Sequence, residues 1–238
     1  MEEARRLARR AAETHERFGV GGVLRLALNR LLVRGASLDI LHVILLERSA
    51  MRAHPLDTTV ETRFLTPEEV RRFARDPGNH LSPEFADRAD GGLDFCYGAI
   101  HGDRLASYGW YALGSVEPEH AAGAALGLPP DVAYMYKVFT HSDFRGRRLN
   151  AACMGGALEA LGGRGVDRLV SLVYWSNEAS LRSCERLGFR RLGLLVVGPG
   201  GPIRIPPKAR RLRVTFGRAA DTALAARDPD ASAASAQA

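Results

Sequence analysis

Residues 138–150 read Val138-Phe139-Thr140-His141-Ser142-Asp143-Phe144-Arg145-Gly146-Arg147-Arg148-Leu149-Asn150. An apolar run ends, a short polar and basic turn follows, and Leu149 opens a segment of helical composition that extends to Gly162. The first amides of such a helix have no backbone acceptor, and the helix dipole adds partial positive charge there. A strand, a basic turn and a helix start, in that order, make a ready anion site, and arginines in the turn suit phosphate. The alternative is a solvated basic turn.

One predicted strand later comes Trp175-Ser176-Asn177-Glu178-Ala179-Ser180-Leu181-Arg182-Ser183-Cys184-Glu185-Arg186-Leu187-Gly188-Phe189. Asn177 is suited to cap a helix and Gly188 to end it. Leu181, Cys184 and Leu187 fall on one helix face, so each has a packing role available.

Working outward, a dense apolar run at Leu38–Leu46 predicts a strand, and Thr58–Leu65 alternates as another. Thr66-Pro67-Glu68-Glu69 is a helix start with a capping box, and that helix extends to about Arg75. Residues 76–92 are loop-rich. Asp94–His101 and Arg104–Leu113 form a hairpin about Gly102-Asp103. Residues 114–131 show no firm period and are expected to be a long loop. Strands follow at Val132–Phe139, Asp167–Trp175, Arg190–Val197 and Leu212–Gly217, with a helix over Asn177–Leu187 and a Pro- and Gly-rich turn region at 198–207. The order predicts a mixed sheet covered by helices. By period two, Tyr134, Tyr136, Val138 and Thr140 share one strand face.

The two quoted stretches together resemble the GCN5-related N-acetyltransferase (GNAT) superfamily. Arg145-Gly146 falls at that family's pyrophosphate-loop pair, with Phe144 at the aromatic before it. Asn177, Ser180 and Gly188-Phe189 match the second motif. The resemblance covers roughly two thirds of the chain. It implies an α/β (α+β) fold: a mixed, mostly antiparallel central sheet with splayed middle strands, helices on both faces, and here an added N-terminal helical extension. The expected organisation is an extension with an added strand over 1–57, the acyltransferase domain over 58–218, and a disordered tail over 219–238.

The resemblance also implies an acetyl-CoA or other acyl-CoA donor, no metal, and a primary amine on a small molecule or peptide as acceptor. It places the donor against Phe139, Thr140, Phe144, Arg145, Gly146, Arg147, Arg148, Leu149, Asn150 and Asn177, with pantetheine between strands ending near Thr140 and Trp175. The sequence departs from the family twice. Arg148 and Asn150 stand where the pattern has its later glycines, and Cys184 stands where many members carry a tyrosine that protonates the leaving thiolate. A thiol is able to donate that proton; its other reading is a small buried hydrophobe. Tyr136 is the second candidate proton donor or polar contact, and His141 a candidate for a water relay; packing is the alternative for both.

Composition agrees with a globular chain: 46% of the 238 residues are hydrophobic and 25% charged. The net charge is +6, and Lys137 and Lys208 are its only lysines. The cysteines Cys96, Cys153 and Cys184 are far apart and lack a metal-binding spacing, so a reducing cytoplasm fits. No nucleic-acid-binding motif is present, so no nucleic-acid partner is expected. Residues 1–36 carry eight arginines against four glutamates, a net +4. They read as two helices separated near Gly19, Gly21 and Gly22. A basic amphipathic pair suits an anionic membrane surface. The glutamates among its arginines favour the other reading, an appendage packed on the domain or on a second copy in a homodimer.

Overall fold

The structure, a computed structural model, describes residues 2–52, 59–92, 94–118, 121 and 123–218. The expected tail at 219–238 and the end of the expected extension, 53–57, lie outside the described residues. In chain order the elements are α1 (Glu2–Ala36), β1 (Asp39–Glu47), β2 (Glu61–Phe64), α2 (Pro67–Ala74), α3 (Glu84–Asp90), β3 (Asp94–His101), β4 (Arg104–Ala112), β5 (Ser115–Val116), β6 (Ala124–Gly127), β7 (Val132–Thr140), α4 (Leu149–Leu161), β8 (Arg168–Tyr174), α5 (Glu178–Leu187), β9 (Arg190–Gly198), β10 (Gly201–Arg204), α6 (Pro207–Arg210) and β11 (Thr215–Arg218).

Eight strands form the main sheet in the order β10-β9-β1-β8-β7-β4-β3-β2. Among its ladders only β7–β8 is parallel, so the mixed, mostly antiparallel sheet is as expected. α4 and α5 cover one face over Ile44, Leu46, Tyr111 and Met135. α2 and α3 cover the other beneath Tyr108 and Trp110. Beside them on that second face, β6, β11 and α6 close over β1 and β9. β1, buried at Leu41 and from Val43 to Leu46, is paired on both sides, with β8 and with β9.

Local chemistry explains the elements that were legible. Thr66 Oγ1 accepts from the Glu69 amide at 3.2 Å, and Glu69 Oε2 accepts from the Thr66 amide at 3.0 Å. The same carboxylate receives Arg63 in a two-pronged pair at 2.7 and 2.8 Å. Chiefly for that reason, and despite partial burial, its pKa is held at about 2.

Three expectations are corrected. Residues 114–131 are not a single loop: β5 and β6 pair, and β11 adds to β6 to make a separate three-stranded sheet. Strands of two and four residues are too short for a period to show. The loop-rich stretch at 76–92 holds α3, whose N-cap position is Pro83 and which has no side-chain cap. The turn region at 198–207 contains β10.

α1 is two helical halves meeting at Gly19, whose backbone leaves the helix at φ 65°, ψ −166°. It packs on the corner formed by the end of β8 and the start of α5. Arg25 pairs with Glu178 at 3.0 Å, and the Arg182 guanidinium lies 4.9 Å from the Phe18 ring centre. Among the described residues no helix is long and apolar enough to cross a membrane.

Candidate active site

β7 and β8 are paired only at Val132–Arg168, Ala133–Leu169 and Tyr134–Val170. Beyond Tyr134, β7 continues to Thr140 on its ladder with β4, while β8 continues to Tyr174 on its ladder with β1. The two middle strands therefore splay, and the β7 edge facing the gap keeps backbone donors and acceptors without a strand partner.

Within this segment β7 bulges. Tyr108 faces Phe139 and Trp110 faces Tyr136, so Gly109 alone stands opposite Lys137 and Val138. Lys137 takes φ 43° to accommodate the extra residue. The bulge overturns the predicted face. Tyr136 and Phe139 pack on the α2–α3 side, whereas Val138 joins Met135 and Ala133 on the α4 side. Period two holds along β7 only up to the bulge.

The chain leaves the sheet at Thr140, whose hydroxyl lies 2.9 Å from that of Ser107. Phe139 packs against Tyr108 and His80. The His141 amide donates to the Ala106 carbonyl at 2.9 Å, which fixes where the turn begins. Phe144 is buried and anchors the turn, with the guanidinium groups of Arg104 and Arg147 at 5.1 and 5.5 Å from its ring centre. Arg104 also pairs with Asp143 at 2.6 Å. Gly146 turns the chain at φ 85°, and a Cβ there would meet nothing within 4 Å. Arg148 holds the left-handed conformation at φ 59° and precedes α4 without a side-chain cap. Arg145 and Arg148 are exposed, Arg147 is half-buried, and Asn150 Oδ1 is buried with no hydrogen-bond partner.

This arrangement fits a diphosphate. The first amides of a 13-residue helix are left without a side-chain acceptor, beside an open turn carrying three arginines. Across the gap, Asn177 caps α5, its Oδ1 accepting from the Ser180 amide at 3.3 Å. Its side chain lines a cavity of ≈ 140 Å³ shared with Thr14, Arg17 and Phe18 of α1.

The two catalytic candidates sit on opposite faces of the sheet. Cys184 is buried on the core-facing side of α5, and burial pushes its thiol up to about 11. Tyr136 lies on the α2–α3 face, and its hydroxyl donates to Asp94 Oδ2 at 2.6 Å. Burial raises the Asp94 pKa above the usual carboxylate range, against the opposing influence of the Tyr136 bond and of Arg88. Burial and the adjacent carboxylate raise the phenol as well, so Tyr136 stays protonated. Asp94 is a site candidate that sequence reasoning missed; its only signal is a carboxylate at the head of an otherwise apolar strand. His141 lines a separate cavity of ≈ 330 Å³ with Arg72, Asp76 and Asp103. Among the described residues no group of three or more His, Cys, Asp or Glu side chains could hold a metal ion.

Comparison with known proteins bears on this geometry. The Acetyltransferase (GNAT) family matches residues 63–189, which is 127 of the 238 residues. Solved structures of similar fold include one described as a GNAT-family acetyltransferase from Novosphingobium aromaticivorans, at 22% identity and TM-score 0.44 over 67% of this chain and 62% of that one. A GCN5-related N-acetyltransferase from Kribbella flavida aligns at 13% identity and TM-score 0.45 over 74% of this chain and 65% of its own. A ribosomal-protein-alanine N-acetyltransferase from Brucella melitensis aligns at 17% identity and TM-score 0.42 over 55% of this chain and 91% of its own. The chain thus spans less than two thirds of the first two. No curated protein matches it.

Proposed function

The chain belongs to the Acetyltransferase (GNAT) family, and we propose that it transfers an acyl group, acetyl in the first instance, from coenzyme A to a primary amine on a small molecule or peptide. The observation that carries this reading is the parting of β7 from β8 after Tyr134–Val170, beside the uncapped start of α4. The diphosphate binds the amides of residues 146–150 with Arg145, Arg147 and Arg148 around it, and pantetheine lies along the free edge of β7 beside Phe139 and Thr140. The bulge at Lys137–Val138 turns backbone toward the thioester, where an N–H polarises its carbonyl. Asn177 contacts the donor from the far side of the gap. We place the reaction in the cytoplasm.

The acceptor amine approaches from the α2–α3 face, where Tyr136 and Asp94 lie. Its nitrogen attacks the acyl carbon, the C–N bond forms, and the C–S bond breaks with its electron pair left on sulfur. Asp94 takes the proton from nitrogen, and Tyr136 supplies one to the departing thiolate and recovers it from Asp94. One proton moves from nitrogen to sulfur overall. Cys184, on the opposite face, serves packing in this scheme.

A second reading is favoured by one observation. The residue at the family's tyrosine position is a buried thiol at about 11, which suits an acyl-CoA-binding or docking module of little turnover. Mass-spectrometric detection of acyl transfer from acetyl-CoA to a panel of amines, alongside acetyl-CoA binding by thermal unfolding, separates the two. Binding with transfer supports the enzyme. Binding without transfer supports the module, and absence of binding removes both.

A further inference from the structure

Past the last β7–β8 pair, the bulge sends two successive side chains of β7 to the α2–α3 face. Tyr136 packs there, and the Lys137 ammonium lies 4.3 Å from the ring centre of Phe85 in α3. A regular strand would place only one of the two on that face. Lys137 holds φ 43°, a left-handed conformation that a lysine disfavours. It is half-buried on the face that carries the Tyr136–Asp94 pair.

The charges here do not balance. Arg88 acts on both Asp94 and Tyr136, so the carboxylate of the pair already has a cation. Asp87 and Asp90 of α3 pair with Arg71. Among the described residues Lys137 has a ring face and no carboxylate as its partner. A primary amine reaches the site from water as an ammonium. Alone, it would add a positive charge to a positive surplus; with a carboxylate of its own, it offsets Lys137 while its nitrogen meets Asp94. We propose that the acceptor is a small aminocarboxylate, of the amino-acid class, whose carboxylate is bound by Lys137. This deepens the acyl-transfer reading and rests on it for the meeting of nitrogen with Asp94. The bulge then serves both substrates, turning backbone toward the thioester and the Lys137 side chain toward the acceptor.

Acyl transfer from acetyl-CoA to the common amino acids, and to the carboxamides of the same amino acids, tests it, since the carboxamides keep the amine and lose the negative charge. Wild type is expected to favour the acids by at least about tenfold in kcat/KM. Lys137→Met is expected to reduce that preference to less than about twofold, through KM for the acids, and Lys137→Arg to retain it. Thermal unfolding checks that the variants fold; if they do not, the comparison of acids with carboxamides on wild type decides. Calorimetric binding of the acids to the protein loaded with coenzyme A is read alongside. Binding by wild type that Lys137→Met loses, with no transfer to either set, upholds recognition of an aminocarboxylate and removes the acyl-transfer reading alone. The proposal is overturned if wild type uses or binds the carboxamides as well as the acids, if a folded Lys137→Met keeps the preference, or if the acids neither react nor bind.

Discussion

Tyr136 and Asp94, from strands separated in the sheet by β4, meet through a 2.6 Å hydrogen bond in which the phenol donates and the carboxylate accepts. Burial opposes the charge on both groups. The carboxylate is thereby more basic than a solvated one, and the phenol is fixed as a donor.

Replacing Asp94 should separate activity from stability. Asp94→Asn is expected to lower kcat by about 10²-fold or more, the usual contribution of a general base. The rate should rise with pH through the pKa of Asp94, which lies above the ordinary carboxylate value. Because the folded-state pKa is raised, the protonated carboxyl favours the fold, and stability declines as pH rises through that pKa. Asp94→Asn should therefore unfold at a Tm equal to or above wild type at pH 7. A large fall in Tm at neutral pH would reassign Asp94 to structure.

Gly146→Asp tests the donor loop without a steric clash. The position has φ 85°, and a side chain there would enter open space; Asp tolerates that conformation better than most residues. The variant should fold, while its carboxylate repels a diphosphate. Acetyl-CoA at 100 Kd should stabilise wild type by about 2.7 kcal/mol and the variant negligibly. Equal stabilisation of the two would move the donor away from residues 145–150.

The Arg63–Glu69 pair predicts a pH-dependent loss of stability. Glu69 is held at about 2 against an ordinary 4.5. Its contribution is complete above the unfolded value and disappears as pH falls from about 4.5 to 2. Arg63 is partly solvated, which limits the effect, so Glu69→Gln should cost about 1 kcal/mol at pH 7. Urea unfolding at pH 7 and near pH 2.5 should show the gap between variant and wild type closing at the lower pH.

Gly156 offers a prediction whose sign opposes helix propensity. A Cβ there would lie 2.5 Å from Tyr97 Oη and 3.0 Å from its ring. Gly156→Ala should gain up to about 1 kcal/mol of propensity and lose about 1–3 from overpacking, for a net loss. Gly163→Ala, with nothing within 4 Å, should stay within about 0.5 kcal/mol of wild type. Thermal unfolding of both variants checks the contrast.

The elements of the proposed donor side are legible in the sequence because they are local. The strand end, the turn at Gly146 and the start of α4 adjoin in sequence, as do Asn177 and the helix it caps. The acceptor side was not. Lys137 adds a residue to β7 at a point that no alternation of apolar residues marks, so Val138 and Tyr136 fall on opposite faces. Asp94 comes near Tyr136 only through the registers of β3 on β4 and of β4 on β7. Register depends on pairing between distant segments, which a single strand's pattern does not encode. α3 was missed because Pro83 supplies no capping side chain.

The position of β1 sets an order of events for the newborn chain. This strand, outside the family match, is held between β8 and β9, whose residues are synthesised roughly 120 to 160 positions later. Until they emerge from the ribosome, the most apolar segment of the N-terminal region has neither neighbour and exposes two unpaired edges. Such a segment is a target for chaperones and a seed for aggregation. Half of the sheet, and with it the β8 wall of the gap, can assemble only after the residues of β8 and β9 have been made.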